Sequence, residues 1–383
     1  MSKRKRRFVS IWLVVSMICA GLALAACGGS NDSSSNESSA GTTSETSATE
    51  PSGGAQTGEI DVGTGKPIPL STENLKIAWI ACCTSTPSNQ AIERGIKKVT
   101  EKYGAEVTTF DANFDPGKQY GLYQNVISGG DYDVILTIPV EGHQSCEILS
   151  KGAPEAGIVV NLLILPICGR EFESPKGDGL WQPGTFNIAG PSSTTEGFET
   201  WAQACAEETG GGEVMLLNGV AGSPNFKTFT KAFEQTDLEI VANYSTLYGA
   251  PEGLEKTSAA LSAHPNLSVI AGQAAELTEG AIQALKAAGK KPGVDVKLCN
   301  YTGGTDKMFK LVESGEVTVD NYVNYEWAAI AGTQALFDAI EGKETPRVIV
   351  PGQDGEIVKA GIEPWPPVYT KATISEFPVS TGQ

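Results

Sequence analysis

The chain has 383 residues and a formal net charge of −17, from 28 basic and 45 acidic residues. Hydrophobic residues make up 40% of it, which is enough to build sizeable cores, so global disorder and a single small domain are both excluded. A surface this acidic repels phosphate backbones, and we therefore expect no nucleic-acid partner.

The N-terminus has the three regions of an export signal. Five basic residues lie within the first seven positions, an apolar stretch covers residues 8–26, and residues 24–27 read Leu-Ala-Ala-Cys. This pattern predicts a signal peptide rather than a membrane helix. It resembles the lipobox of bacterial lipoproteins, which implies that residues 1–26 are removed and that Cys27 is lipidated. Ordinary secretory cleavage after Ala26 is the alternative.

We therefore expect an exported protein, either lipid-anchored to the outer face of the cell membrane or periplasmic, which contacts the membrane only through its anchor. Residues 28–58 are polar and contain almost no large apolar side chain, which predicts that residues 27–74 form a lipidated N-terminus and flexible tether. Six cysteines remain beyond the lipobox, and an even number in an oxidising compartment favours disulfides over buried free thiols. They are Cys82, Cys83, Cys146, Cys168, Cys205 and Cys299.

From Leu75 onwards, short β-branched runs alternate with stretches of helical periodicity. Strands are predicted at 75–81, 105–110, 133–138, 157–163, 185–189, 213–218, 238–244, 268–272, 295–300 and 317–323. This alternation is typical of parallel sheets covered by helices on both faces. About ten strands exceed one ordinary sheet, so we predict an α/β fold with two doubly wound parallel-sheet lobes around a ligand cleft.

The motifs argue against an enzyme. The chain has only two histidines, which leaves few ways to form a catalytic triad, and the spacing of His143 and Cys146 is a weak metal signal without a second ligand pair. Residues 63–66 (GTGK) are similar to a phosphate-binding loop, but they precede the first strand and are followed by Pro67. We therefore predict no catalytic residue, no metal and no cofactor.

Three stretches carry a family resemblance: 77–95 (IAWIACCTSTPSNQAIERG), 219–233 (GVAGSPNFKTFTKAF) and 264–290 (HPNLSVIAGQAAELTEGAIQALKAAGK). The chain resembles the type I periplasmic binding proteins, specifically the ribose-binding-like solute receptors of bacterial ABC importers. The resemblance implies discontinuous lobes. The first would contain 75–189 plus about 325–343, and the second 190–324 plus about 346–360, including a strand at 347–351. Residues 361–383 would be a C-terminal extension.

The same resemblance implies a set of ligand-binding positions, several of which depart from the sugar receptors of the family. Aromatic residues are absent at Ser88 and Asn89, and Lys227 replaces an arginine. We therefore expect a sugar-like or a small polar or anionic solute, with Lys227 as counter-charge. Trp181 would either replace the missing aromatics or pack in its loop. The implied ligand-binding residues are Cys82, Thr86, Ser88, Asn89, Lys227, Gln273, Asn300, Tyr301 and Asn324.

The expected function is that of the extracytoplasmic solute-binding component of an ABC importer, a monomer that delivers a small solute to a permease. A ligand-presenting accessory protein of a membrane sensor is the alternative. Cys205 and Cys299 are the only thiols in the second lobe so defined, and we expect them to form a disulfide. The pairing of the four first-lobe thiols stays open.

Overall fold

The computed structural model describes residues 55–173, 177–221, 223–350 and 368–377. The predicted signal peptide, Cys27 and most of the tether lie outside the described residues, as do residues 361–367 and 378–383 of the C-terminal extension. In the part of the chain that the structure describes, we find no helix with the length and apolar character needed to cross a membrane.

The described elements alternate between strands and helices along most of the chain. The strands are β1 (Thr57–Ile60), β2 (Ile68–Ser71), β3 (Lys76–Ala81), β4 (Glu106–Asp111), β5 (Val134–Thr137), β6 (Val159–Leu163), β7 (Asn187–Ala189), β8 (Gly212–Asn218), β9 (Leu238–Ser245), β10 (Leu267–Gly272), β11 (Lys297–Asn300), β12 (Val319–Asn321), β13 (Val348–Ile349) and β14 (Val368–Thr370). The helices are α1 (Pro87–Tyr103), α2 (Pro116–Gly129), α3 (Ala153–Glu155), α4 (Thr195–Thr209), α5 (Pro224–Glu234), α6 (Ala250–Ala263), α7 (Ala275–Ala287), α8 (Asp306–Ser314) and α9 (Tyr325–Ile340).

Two six-stranded sheets form the framework, one in each lobe. The first-lobe sheet has the order β13-β7-β6-β5-β3-β4, and all of its strand pairs are parallel. The second-lobe sheet has the order β14-β12-β11-β10-β8-β9 and is parallel except at its edge strand β14. The ten predicted strands are all present, and the prediction of two doubly wound parallel-sheet lobes is confirmed.

Helices cover both faces of each sheet, which explains why the central strands are apolar on both sides. In the first lobe, α1 and α9 pack on one face and α2 on the other, where Tyr123 is fully buried. In the second lobe, α6, α7 and α8 cover one face. The opposite face carries α4 and α5, whose Trp201 and Phe229 are fully buried with ring centroids 5.5 Å apart. Each lobe therefore has its own core.

The chain crosses between the lobes more than once. It enters the second lobe after β7 and returns to the first through α9, which packs so closely on α1 that a Cβ atom at Gly95 would lie 2.6 Å from the carbonyl oxygen of Glu326. The assignment of a strand at 347–351 to the second lobe is wrong, because β13 pairs in parallel with β7. Arg347 holds it there, with its guanidinium 2.6 Å from the Asp61 carboxylate and 4.5 Å from the Trp181 ring. The described chain then re-enters the second lobe as β14.

The prediction of a flexible tether up to residue 74 is also wrong in its last part. Strands β1 and β2 form an antiparallel hairpin that packs against α9, where a Cβ atom at Gly58 would lie 2.5 Å from the carbonyl oxygen of Ile340. Its apolar side chains are buried: Ile60, Val62, Ile68 and Leu70. These four are spread thinly among polar residues, so composition masks a segment that belongs to the first-lobe core.

Two disulfides link four of the six described cysteines. Cys205 in α4 is bonded to Cys299 in β11, as predicted, and this bond ties a helix to the second-lobe sheet. Cys146 is bonded to Cys168, which ties the segment after β5 to the loop after β6 in the first lobe. Cys82 and Cys83 are both reduced and buried. The first-lobe thiols therefore divide into one structural pair and one adjacent, unbonded pair.

Candidate ligand-binding site

A cleft lies between the lobes, where the carboxyl ends of the two parallel sheets face each other. Its cavity volume is about 120 Å³. This is the position at which doubly wound sheets bind ligands, because loops rather than strands fill the edge and present their side chains and backbone amides. An apolar floor is supplied by the loops after β5 and β6, through Ile138, Pro139, Val140, Ile164 and Leu165.

The first-lobe wall is built on the loop from β3 to α1. Pro87 begins the helix, and the Thr86 hydroxyl caps it by accepting a hydrogen bond from the backbone N–H of Asn89 at 3.4 Å. The Asn89 amide nitrogen in turn donates to the Thr86 hydroxyl at 3.0 Å and to the Cys82 sulfur at 3.3 Å. The Ser88 and Thr86 hydroxyl oxygens are 3.0 Å apart. The polar groups of this wall are therefore paired largely with one another.

The two thiols behind this wall have opposite pKa shifts. A hydrogen bond between the side chains, together with burial, raises the pKa of Cys82 well above its usual value. The same bond lowers the pKa of Cys83 to about 7. Cys82, which lines the cleft, therefore stays a neutral thiol at neutral pH.

The second-lobe wall comes from the loops after β8, β9, β10 and β11. Gln273 follows β10 and is 4% exposed, and its side-chain oxygen has no hydrogen-bond partner among the described residues. Tyr248 follows β9, and its hydroxyl lies so near Gly219 that a Cβ atom there would be 2.0 Å away. Burial raises the pKa of Tyr248 above its ordinary value, so the phenol stays neutral. The polar residues of this wall are Asn225, Tyr248, Gln273, Glu276, Tyr301 and Thr302.

One aromatic contact bridges the two walls of the cleft. Phe114, in the loop after β4, meets Tyr248 of the second lobe with ring centroids 5.5 Å apart. Both residues have left-handed backbones, with φ of 57° for Phe114 and 64° for Tyr248. Non-glycine residues in this region store strain, and such residues cluster at ligand clamps. The contact joins the two walls and shows the lobes in a closed arrangement.

Six of the predicted ligand-binding residues line the cleft: Cys82, Thr86, Ser88, Asn89, Gln273 and Tyr301. Lys227 does not, because it is exposed on α5 outside the cleft lining. Asn225 lines the cleft instead. Residues two apart on a helix point to nearly opposite sides, so a helix that turns Asn225 inward turns Lys227 outward. The proposed counter-charge for an anionic solute is therefore absent from the cleft.

Asn300 and Asn324 also lie outside the cleft lining, and both make hydrogen bonds within the second lobe or at the start of α9. Asn300 is fully buried, where it accepts a hydrogen bond from Thr278 at 2.8 Å and donates one to Asp320 at 2.8 Å. Asn324 caps α9 by accepting from the backbone N–H of Trp327 at 2.8 Å. The assignment of these two asparagines to the ligand is therefore not supported by their positions.

Trp181 is not an aromatic platform in the cleft. Its indole N–H donates to the Thr185 carbonyl oxygen at 3.0 Å, and its ring lies against Arg347 and Gly63 in the first lobe. The aromatic residues that line the cleft are Phe114, Tyr248, Tyr301 and Tyr325. Phe114 and Tyr248 could have been found as large residues shortly after predicted strands, whereas Tyr325 stands at the crossover into α9.

The metal signal at His143 has a structural explanation. Its ring nitrogen Nε2 lies 3.1 Å from the carboxylate of Glu171, and Cys146 is engaged in a disulfide. Within the described ranges, no group of three or more histidine, cysteine or acidic side chains is arranged to hold a metal ion.

The chain matches a known protein family over most of its folded part. The model of the periplasmic binding protein domain family matches residues 77–344. The ribose import binding protein of Bacillus subtilis is 24% identical over 288 residues, which cover 73% of this chain and 88% of that protein.

Solved structures show the same architecture. The myo-inositol binding protein of Caulobacter, bound to myo-inositol, has a TM-score of 0.65 and 16% identity, and the match covers 81% of this chain and 98% of that one. An ABC transporter solute-binding protein from Actinobacillus succinogenes with bound D-allose has a TM-score of 0.62 and 21% identity, covering 79% of this chain and 100% of that one. At these identities, the likeness shows the fold.

Proposed function

This chain belongs to the periplasmic binding protein domain family, and from that premise we propose that it is the extracytoplasmic solute-binding component of an ABC importer. It captures a sugar-like or polyol solute between its lobes and delivers it to a permease. The ribose import binding protein among its relatives, and the sugar and polyol bound in its structural neighbours, support this class of solute.

The observation that carries the proposal is the composition of the cleft. An apolar floor, four aromatic rings and a set of amide and hydroxyl groups are arranged around one cavity. A sugar or polyol ring offers apolar C–H faces for the rings and floor, and hydroxyls for the polar groups. The side-chain oxygen of Gln273 is buried and unpaired among the described residues, which costs free energy unless a ligand donor reaches it.

Closure of the lobes supplies the mechanism. A solute that contacts both walls binds the closed arrangement better than an open one, and so shifts the population towards it. The contact between Phe114 and Tyr248 joins the two walls in the present arrangement. A permease would then recognise the closed shape. This role is non-catalytic, needs no cofactor and is performed by a monomer.

The N-terminal sequence supports a lipid anchor at Cys27 as part of the same proposal. An anchor of this kind keeps a binding protein near the permease after export. Replacement of Cys27 by serine should release the protein from the membrane fraction, and retention of the Cys27→Ser protein there would contradict the anchor without affecting the proposed binding function.

The proposal is tested by calorimetry with D-ribose, D-allose, myo-inositol and related polyols. Asn225→Ala should weaken binding by about 3- to 10-fold, the value of one neutral hydrogen bond, whereas Lys227→Ala on the opposite side of α5 should leave it within about 2-fold. Failure of every sugar and polyol to bind would contradict the proposed function. Conversion of a bound solute into a new product, followed by NMR, would show an enzyme instead.

A further inference from the structure

The charge of the cleft narrows the class of solute. Of the cleft-lining residues in the described part of the chain, none is Lys, Arg or His, and Glu276 is the one acidic residue. Burial raises the pKa values of Tyr248, Tyr301 and Tyr325, and Cys82 is held as a thiol, so these groups are neutral. Glu276 is therefore the one group of the described cleft lining that is left to carry a charge near neutral pH.

The basic residues of the neighbouring groove are paired with other carboxylates, and the charge of Lys307 lowers the pKa of Glu276 only as a minor effect beside burial. Glu276 also lines a groove that opens beside the cleft, between the starts of α1 and α8. In this groove the Lys307 ammonium lies 2.6 Å from the Glu279 carboxylate, and the Arg94 guanidinium lies 3.6 Å from Glu326. Among the described residues, no cation lies within 4.0 Å of the Glu276 carboxylate.

Among the described residues, Glu276 is thus a partly desolvated carboxylate without a direct ion-pair partner. It stands in the first turn of α7, where the helix dipole and its own backbone N–H favour the charged form. Burial acts more strongly in the other direction and raises its pKa. A buried charge is costly unless it is paired, and a cationic group on the solute would supply the missing pair.

The aromatic residues fit the same ligand. Tyr325 and Glu276 both line the cleft and the groove beside it, and the carboxylate contributes, after burial, to the raised pKa of this phenol. Tyr248 and Phe114 complete a set of rings around the cavity. Ring faces attract cations as well as the C–H faces of sugars, so they accommodate an ammonium group near Glu276 without excluding a polyol ring.

We propose that the solute is an amine-bearing polyol, such as an amino sugar or an aminocyclitol, and that its ammonium group pairs with the Glu276 carboxylate. This inference rests on the solute-binding function proposed above and replaces the anionic option among the sugar-like, small polar or anionic solutes expected from the sequence.

The test compares matched pairs of solutes by calorimetry at neutral pH: D-glucosamine with D-glucose, D-galactosamine with D-galactose, D-mannosamine with D-mannose, and an aminodeoxy-inositol with its parent inositol. N-acetyl-D-glucosamine serves as the neutral amide control. In at least one pair, the amine should bind about 10- to 150-fold more tightly than its hydroxyl analogue, as a charge-assisted hydrogen bond predicts.

Glu276→Gln should remove that preference and bring the two members of the pair to similar affinity. Glu93→Gln is the control, because this carboxylate lies on α1 outside the cleft lining and is paired with Lys97. It should keep the preference, and unchanged melting temperatures of both ligand-free variants would show that they fold.

Tighter binding of the neutral sugars or inositols, or a preference for the amines that survives Glu276→Gln, would overturn the inference and leave the solute-binding function standing. Failure of all the polyols to bind, charged and neutral alike, would contradict both.

Discussion

The two walls of the cleft differ in how their polar groups are paired. On the first-lobe wall, the Asn89 amide nitrogen donates to the Thr86 hydroxyl at 3.0 Å and to the Cys82 sulfur at 3.3 Å. On the second-lobe wall, the Gln273 oxygen is buried without a partner among the described residues, and Glu276 has no cation beside it. The polar groups of the first wall form hydrogen bonds within that wall, whereas the second wall contains polar groups without a partner among the described residues.

This difference indicates different roles for the two walls in binding a solute. Groups that are already paired are held in place before a solute arrives, so the first wall offers a preorganised surface at low entropic cost. Unpaired groups gain most from a solute with matching donors, and such groups set selectivity because a wrong solute leaves them unsatisfied. We therefore expect the second wall to decide which polyol binds.

The largest expected effect is on stability, and it comes from Asp320, which lies behind the second wall. Asp320 is fully buried behind the loop that carries Tyr301 and Thr302, and a Cβ atom at Gly303 would lie 1.9 Å from its carboxylate. It accepts hydrogen bonds from Asn300 and Tyr369. Burial nevertheless dominates and raises its pKa to about 7. The second wall thus rests on an ionisable group.

The raised pKa of Asp320 makes stability depend on pH. Between about pH 4 and pH 7 the folded state keeps this proton while the unfolded state loses it, so the free energy of unfolding falls as pH rises and levels off above pH 7. The loss is roughly 4 kcal/mol. Asp320→Asn should abolish this part of the slope in urea denaturation at a series of pH values. Glu147→Gln, at an exposed carboxylate of the first lobe, is the control and should keep the slope. Identical slopes for Asp320→Asn and the parent protein would contradict the prediction.

A smaller effect separates the two walls directly. Asn89→Ala breaks two hydrogen bonds of the first wall, so it should lower the free energy of unfolding by about 1 to 2 kcal/mol as well as weaken binding. Gln273→Ala removes an oxygen that is unpaired in the absence of solute, so it should weaken binding by about 10-fold with little loss of stability. Urea denaturation and calorimetry on both variants measure the two quantities. Equal losses of stability would remove the distinction between the walls.

The framework of both walls was predictable from sequence because buried parallel strands are marked by short β-branched runs. β13 was assigned to the wrong lobe because its two-residue length carries no information about pairing, which depends on the distant contacts of Arg347. The hairpin of β1 and β2 was missed because its four buried apolar residues are diluted by polar ones.

The site was predicted less completely than the fold. The resemblance led to Lys227, whereas the direction of α5 places Asn225 in the cleft, and that direction follows from packing rather than from residue type. Asn300 and Asn324 have side chains suited to a ligand, but internal hydrogen bonds occupy them. Sequence identifies a polar residue, and only the fold shows whether its hydrogen-bonding groups remain available.

The smallest expected effect tests the pairing of the first wall at its thiols. Cys83 has a pKa of about 7, chiefly because the Cys82 side chain hydrogen-bonds to it, with Thr86 contributing. The Cβ chemical shift of Cys83, followed by carbon NMR across a pH series, should therefore show a midpoint near pH 7 rather than near the ordinary value of about 8.5. Cys82→Ala removes the donor and should raise the midpoint, whereas Cys82→Ser retains a hydroxyl donor and should raise it less. An ordinary midpoint in the parent protein, or a midpoint unchanged by both substitutions, would show that the two thiols do not share a hydrogen bond. The first wall would then be less completely paired than its contrast with the second wall requires.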